Sequence, residues 1–81
     1  MKILISYKAE LQLSALPRQI HNRITNKLSF YANHDNPLSF AKKLSDRNEY
    51  RFRIGDYRAL FIIEEDTIKV AKIEPRDKAY D

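Results

Sequence analysis

The segment from Tyr50 to Phe61 constrains the fold more than any other part of this chain. Its sequence, YRFRIGDYRALF, alternates apolar or aromatic residues with other residues on both sides of Gly55-Asp56. Alternation with a period of two predicts a strand with two different faces. A Gly-Asp pair between two such runs predicts a tight two-residue hairpin turn, in which Ile54 lies opposite Tyr57. The segment therefore predicts two paired antiparallel strands.

One face of this predicted hairpin is strongly basic. In the same register Arg53 lies opposite Arg58, and Arg51 lies on the same face two residues earlier along the strand. Like charges directly opposite one another destabilise a ladder by up to roughly 1 kcal/mol. Because the hairpin holds three guanidinium groups together despite that cost, we expect this arginine face to bind an anionic partner, most simply a phosphate chain.

Composition limits the size of the protein and the compartment in which it works. With 81 residues, 43% of them hydrophobic, the chain is predicted to be one small domain spanning residues 1–81. It contains no cysteine, which excludes disulfides and thiolate metal sites. The apolar run at residues 3–5 is too short for a secretion signal or a membrane span, so we expect a cytoplasmic protein. A net charge of +4 favours nucleic acid, an anionic membrane surface or an acidic protein as partner.

The first half of the chain is predicted to contain one strand and two helices. Residues 2–7 are predicted to form a short strand and residues 8–16 a short helix. Pro17 suits the first turn of a second helix, where its missing N–H costs nothing. That helix carries an apolar stripe at spacings of four, four and three: Ile20, Ile24, Leu28 and Tyr31. The polar residues at 33–37 end the helix, and residues 38–44 are predicted to form a turn of helix or an irregular connection.

The second half of the chain is predicted to form a three-stranded meander. Its strands are expected at about 49–54, 57–64 and 67–74. If Glu65 and Asp66 form the second turn, Ile63 lies opposite Ile68. If the third strand alternates without interruption, it places three further side chains on the arginine face: Lys69, Ala71 and Ile73. The predicted fold class is α+β: an N-terminal strand, a two-helix hairpin and an antiparallel meander, with both helices on one face of a small twisted sheet.

This order of elements, together with two motifs, resembles the RelE/ParE toxin superfamily of bacterial type II toxin–antitoxin systems. The motifs are the hairpin segment 50–58 and the closing Arg76-Asp-Lys-Ala-Tyr80, which looks like the family's terminal Arg-x-x-x-Tyr. The resemblance covers nearly the whole chain. It implies a RelE-like fold, a cognate antitoxin as partner, and no metal, cofactor or membrane.

The resemblance also implies one of two activities. RelE-like members enter the ribosomal A site and cut the mRNA there, whereas ParE-like members poison DNA gyrase. The residues that the resemblance carries over as catalytic are Arg51, Arg53, Arg58, Arg76 and Tyr80. This chain departs from the family pattern at Glu74 and Pro75, where many relatives carry histidine or a further basic residue.

Cleavage by the neighbouring 2′-hydroxyl requires a proton acceptor, cations that stabilise the phosphorane, and an acid for the leaving oxygen. We expect Arg58 and Arg76 to hold the scissile phosphate, and Tyr80 to stack on a base or to move a proton. The two other arginines of the set are expected to contact the RNA backbone or to take part in proton transfer. His21 and His34 fall in or just after the second helix, away from this set. Because an arginine pKa lies above about 12, much of the rate is expected to come from the ribosome positioning the mRNA.

Further cations outside the hairpin are predicted to contact RNA: Arg18, Arg23, Lys27, Lys43 and Lys69. Phosphate contacts require only a positive charge, so a solvated basic face can serve this purpose without a special motif. Three functions remain open at this point: a ribosome-dependent mRNA endonuclease, a gyrase inhibitor of the same fold, and an inactive nucleic-acid-binding relative.

Overall fold

The computed structural model describes residues 1–76 of the chain. The predicted site residue Tyr80 lies outside this range. The elements in chain order are β1 (Lys2–Ile5), α1 (Tyr7–Ser14), α2 (Arg18–Asn33), a 3-10 turn (Pro37–Phe40), β2 (Ala41–Lys43), β3 (Glu49–Ile54), β4 (Tyr57–Glu64) and β5 (Thr67–Pro75).

The strands form one five-stranded sheet in the order β1-β5-β4-β3-β2. β1 runs parallel to β5, and every other neighbouring pair is antiparallel. The predicted α+β class, with a strand, two helices and then the meander, is confirmed. The sequence did not predict β2, because a three-residue strand is too short to show a period and follows a proline-led turn.

Both turns of the meander have the geometry that tight hairpins require. The register places Ile54 opposite Tyr57 and Arg53 opposite Arg58, as predicted. At the first turn φ is positive at Gly55 (+60°) but not at the following residue, which is the type II′ pattern. At the second turn, after β4, φ is positive at both central residues (51° and 58°), which is the type I′ pattern.

The register between β4 and β5 shifts by one residue. Phe61 lies opposite Val70, whereas the preceding residue Leu60 lies opposite Lys72. Ala71 is therefore an extra residue in β5, and the strand contains a β-bulge. Beyond the bulge, the side chains of β5 exchange faces.

This bulge overturns one prediction. Uninterrupted alternation places Ile73 on the arginine face, but Ile73 is only 4% exposed and belongs to the core. Lys72 and Glu74 occupy the open face instead, and Glu74 lies opposite Arg58. The prediction failed because a bulge depends on local backbone geometry, which the hydrophobic pattern of a single strand does not reveal.

The start of α1 holds the bulge in place. The Ser6 hydroxyl caps α1 by accepting from the Ala9 N–H at 3.0 Å, and it also donates to the Ala71 carbonyl at 2.8 Å. Farther along the helix, Gln12 Oε1 accepts from the Ile73 N–H at 2.7 Å. These bonds fix β5 against α1 at the extra residue and two positions beyond it.

The core lies between the two helices and one face of the sheet. The predicted apolar stripe of α2 packs there: Ile24 and Leu28 are fully buried, and Tyr31 is only slightly more exposed. Phe52 is at the centre, with its ring centroid 4.5 Å from Tyr31 and 4.3 Å from Phe61. In residues 1–76, the opposite, arginine-bearing face carries no covering helix. No helix within that range is long and apolar enough to cross a membrane.

Candidate functional site

A narrow cleft on the open face is lined by four arginine side chains: Arg51, Arg53, Arg58 and Arg76. The first two project from β3, the third from β4, and the last follows the end of β5. We call this feature the arginine cleft. It brings together four of the five residues that the sequence predicted as catalytic, while the fifth, Tyr80, is outside the described range.

Two features of the backbone assemble the cleft. The type II′ turn sets Arg53 directly opposite Arg58 across the β3–β4 ladder. At the other end, the Arg76 N–H donates to the Asp56 carbonyl at 2.8 Å. This bond ties the chain after β5 to the hairpin turn, so that the fourth guanidinium reaches the cleft formed by the other three.

Arg58 is the buried member of the set. It is 9% exposed, and its Nη2 lies 3.9 Å from Glu74 Oε1. Within residues 1–76, its buried Nε has no hydrogen-bond partner. A buried charge is stable only when it is paired and hydrogen-bonded. Arg58 therefore keeps capacity for a further acceptor, which an anion entering the cleft can supply.

Glu74 is the carboxylate next to this cation. Its second oxygen, Oε2, lies 3.1 Å from the Lys72 Nζ, so one acidic side chain contacts two basic ones. The three residues share the open face because of the bulge. Glu74 thus lowers the positive charge at one end of the cleft and competes with any external anion for Arg58.

The volume of the cleft is about 10 Å³, which is close to the space that one water molecule needs. A phosphate group is too large to be enclosed there. It would lie across the mouth with one oxygen directed inward toward the buried Arg58 and beside the half-buried Arg76, while Arg51 and Arg53 remain available for the adjoining backbone. Guanidinium groups suit this role because each can donate two parallel hydrogen bonds to one phosphate.

One predicted RNA-binding lysine lies on the other side of the sheet. Lys43 is opposite Tyr50, a residue that packs against the core, whereas the neighbouring Lys42 is opposite Arg51. Lys42 is therefore the lysine of β2 that extends the arginine surface. Choosing between these two neighbouring lysines required the register of β2, and that strand is too short to predict.

A second predicted lysine is already paired. Lys69 lies on the open face, but its Nζ is 2.7 Å from Glu64 Oε1. This hydrogen bond and the charge of Glu64 raise the Lys69 pKa. Lys69 does not line the arginine cleft.

The predicted basic face of α2 is not part of the cleft either. Arg23 lies over the hairpin turn, where a Cβ atom on Gly55 would be 3.4 Å from its Cζ. The Lys27 Nζ is 5.6 Å from the ring centroid of Phe30. Arg18 is exposed and borders a separate depression near the start of the helix.

Comparison with known proteins identifies the family. Residues 3–80 match the family described as the ParE toxin of type II toxin–antitoxin systems, parDE. The chain belongs to this family. It is therefore a type II toxin with the RelE/ParE fold, and the resemblance inferred from the sequence is confirmed.

Solved structures support the fold of this ParE-family toxin. The RelBE2 toxin–antitoxin complex of Mycobacterium tuberculosis is similar with a TM-score of 0.75 and 23% identity, covering 93% of this chain and 96% of that chain. The RelE–RelB complex of Pyrococcus horikoshii is similar with a TM-score of 0.74 and 23% identity, covering 93% of each chain. The RelB–RelE complex of Methanococcus jannaschii is similar with a TM-score of 0.74 and 26% identity, covering 96% of this chain and 95% of that chain. No curated protein matches the chain.

Proposed function

We propose that this toxin is a RelE-like, ribosome-dependent mRNA endonuclease that acts without a metal and inhibits translation. The observation that carries the proposal is the convergence of four arginines on one cleft of the open sheet face. Attack by a 2′-hydroxyl adds negative charge to the scissile phosphate. Preorganised cations stabilise that charge most strongly when, like Arg58, they are already withdrawn from water.

In this proposal the arginines have different tasks. Arg58 and Arg76 hold the scissile phosphate and its developing charge, and Arg51 and Arg53 contact the adjoining backbone. Tyr80 stacks on a base or transfers a proton. Because no arginine is a good proton acceptor at neutral pH, the ribosome supplies much of the acceleration by fixing the mRNA in a reactive geometry.

We further propose that the 81 residues act as one toxin domain in the cytoplasm, neutralised by a cognate antitoxin. The solved relatives with the same fold are toxin–antitoxin complexes. An antitoxin segment that covers the cleft needs acidic side chains, because the cleft is lined by cations and the chain carries a net charge of +4.

A second candidate function is inhibition of DNA gyrase. Two observations favour it: the family that matches is named for ParE, and Glu74 places a carboxylate beside the arginine that would bind phosphate. The cluster of guanidinium groups favours the RNA cleavage proposal. An inactive relative that only binds nucleic acid is the third outcome that experiments must separate.

Primer extension on a reporter mRNA after induction of the toxin in bacteria tests the proposal, with a parallel reaction in vitro with and without ribosomes. We expect cuts that depend on ribosomes. The Arg58→Ala and Arg76→Ala double variant should lose at least about 100-fold in cleavage rate, since one charge-stabilising donor is worth about 10²–10³. The matched control is Lys8→Ala together with Arg47→Ala, two exposed cations that neither line the cleft nor belong to the residues predicted to contact RNA.

The alternatives give different results. DNA breaks with an SOS response and intact mRNA would support gyrase inhibition. Unaffected growth would support an inactive relative. Full toxicity in the Arg58 and Arg76 double variant would remove the arginine cleft as the site.

A further inference from the structure

A second, larger depression adjoins the arginine cleft on the side of β2. Its volume is about 250 Å³, and its lining residues are Ser39, Phe40, Ala41, Lys42, Arg51 and Arg53. It forms where the 3-10 turn leads into β2, and it shares two arginines with the cleft. We call it the aromatic pocket. A ligand that occupies both depressions therefore contacts Arg51 and Arg53 along the way.

Phe40 is the residue that distinguishes this pocket. Its ring stacks on Tyr31, with centroids 4.7 Å apart and planes at 23°. Tyr31 in turn packs against Phe52 in the core. Phe40 nevertheless remains 39% exposed. A ring that is fixed from behind by the core and open to solvent is a preorganised surface for another flat group.

The cations around Phe40 indicate what that flat group is. Lys42 lies opposite Arg51 on the ladder, so two positive side chains project together beside the ring. An aromatic surface combined with a basic track is the arrangement by which proteins bind single-stranded nucleic acid. The bases stack on the rings while the cations contact the phosphates.

We propose that the aromatic pocket binds one unpaired nucleobase of the RNA strand whose phosphate lies in the arginine cleft. Phe40 stacks on the base, and Lys42 and Arg51 contact the adjoining backbone. This inference rests on the proposed function, to which it adds a base-binding subsite. The pocket is smaller than the roughly 300 Å³ at which sites for drug-sized ligands begin, which suits a single ring system.

The pocket tolerates different bases. Its hydroxyl, on Ser39, already donates to the Asn36 carbonyl at 2.7 Å. The charged side chains that line it carry donors without acceptors. Selectivity consequently comes from stacking, which every base can provide and which favours the larger purines.

The test is fluorescence anisotropy with two labelled probes, hexa-adenylate RNA and an abasic ribose-phosphate strand of the same length and charge. Phe40→Leu keeps an apolar side chain but removes the flat face. It should weaken binding of hexa-adenylate about tenfold, within the range measured for one base–aromatic stack, and leave binding of the abasic strand unchanged.

Phe30→Leu is the matched control. Phe30 is 53% exposed and its ring centroid is 5.9 Å from that of Phe40, but it does not line the pocket. This variant should bind both strands like the wild type. Thermal melting of both variants by circular dichroism confirms that they are folded.

Three results overturn the proposal. The first is hexa-adenylate binding that does not depend on Phe40, and the second is an equal loss for both strands, which assigns Phe40 a purely structural role. The third is a wild-type protein that does not bind hexa-adenylate. Primer extension separates this outcome from that of the proposed function. If mRNA is cut and binding is independent of Phe40, only the subsite is wrong; if binding depends on Phe40 and no mRNA is cut, only the cleavage activity is wrong.

Discussion

Arg58 carries a full charge on a side chain that is 10% exposed, and the nearby Glu74 carboxylate lies 3.9 Å from its Nη2. Charge-assisted hydrogen bonds between such groups are usually about 2.7–2.9 Å long. The pair is thus loose, and the guanidinium keeps donors for another oxygen. The Glu74 carboxylate therefore stabilises the free protein by lying near the Arg58 charge, and it lowers the affinity of Arg58 for an external anion by competing with it.

The substitution Glu74→Gln should lower the stability of the protein and raise its affinity for RNA. Removing the carboxylate leaves Arg58 without its nearby negative charge, so we expect a loss of about 1–2 kcal/mol in the free energy of unfolding. This lies below the roughly 3–5 kcal/mol for a fully buried pair, because Glu74 remains partly solvated. The same variant should bind single-stranded RNA several-fold more tightly, since one competing charge is gone.

Urea denaturation and RNA anisotropy measure the two effects, with Glu10→Gln on the exposed side of α1 as the control for charge alone. If Glu74→Gln binds RNA no better than Glu10→Gln does, Glu74 does not compete for the cleft.

The arginines of the cleft were predictable to different degrees. Arg51, Arg53 and Arg58 follow from alternation around one glycine turn, because a hairpin register fixes which side chains share a face. Arg76 came from the family motif alone. Its position depends on a backbone hydrogen bond to Asp56 across the sheet end, and no periodicity reports such a bond.

At the scale of elements, α1 and β5 depend on each other. Gln12 accepts from the Ile73 N–H immediately beyond the bulge, in a part-buried position. An unpaired buried N–H costs about 1–3 kcal/mol. The polar side chain on this short helix is therefore needed for the strand that carries Lys72 and Glu74 to the open face.

Gln12→Ala should lower the free energy of unfolding by about 1–3 kcal/mol, because the Ile73 amide loses its acceptor. Gln12→Glu keeps an acceptor oxygen and should lose less. Urea denaturation gives the values, and amide hydrogen exchange should show faster exchange at Ile73. The control is Gln19→Ala on the exposed surface of α2; equal stability of the Gln12→Ala and Gln19→Ala variants contradicts the argument.

The turn between β4 and β5 contains a strained backbone conformation that one substitution should relieve. Glu65 has a φ of 51°, a left-handed conformation that asparagine tolerates better than glutamate. Glu65→Asn should stabilise the protein by about 0.5–1 kcal/mol and raise the melting temperature by roughly 2–8 °C. Glu65→Gln removes the same charge without easing the backbone, so a thermal melt should show no comparable gain; a matching gain assigns the effect to charge.

Most elements followed from the sequence, and the exceptions have physical reasons. Three strands of the meander were located to within one residue because alternation and turn chemistry agree there. β2 was missed because three residues show no period. The bulge was missed because Ala71 looks like any other strand residue, and the contacts that hold it come from Ser6 and Gln12 more than sixty positions away.

Across the whole molecule, the sheet separates two surfaces with different tasks. One is buried beneath the helices, and the other collects positive charge. Not every lysine on the open face contributes equally to the electrostatic field there, because Lys69 is neutralised by Glu64 and Lys42 lies next to Arg51. Location on a face and availability for an anion are different properties.

Salt dependence of RNA binding should distinguish these lysines. Each phosphate contact to a single strand contributes a slope of about −0.7 in a plot of log affinity against log salt. Lys42→Ala should reduce the slope by about that amount, whereas Lys69→Ala should leave it nearly unchanged. Anisotropy titrations between about 50 and 200 mM NaCl measure the slope. Equal effects of the two substitutions would show that the Glu64 pair does not persist in solution.

The extra residue in β5 also has a consequence for how this surface can diverge among relatives. Deleting Ala71 would change the length of the protein by one position and its composition hardly at all. It would leave Val70 followed directly by Lys72 in a regular ladder, so that Lys72 and Glu74 stay on the open face and Ile73 stays in the core. Loss of this single codon can thus preserve the floor of the cleft, whereas a one-residue insertion or deletion at a regularly paired position of the strand would turn the following side chains over.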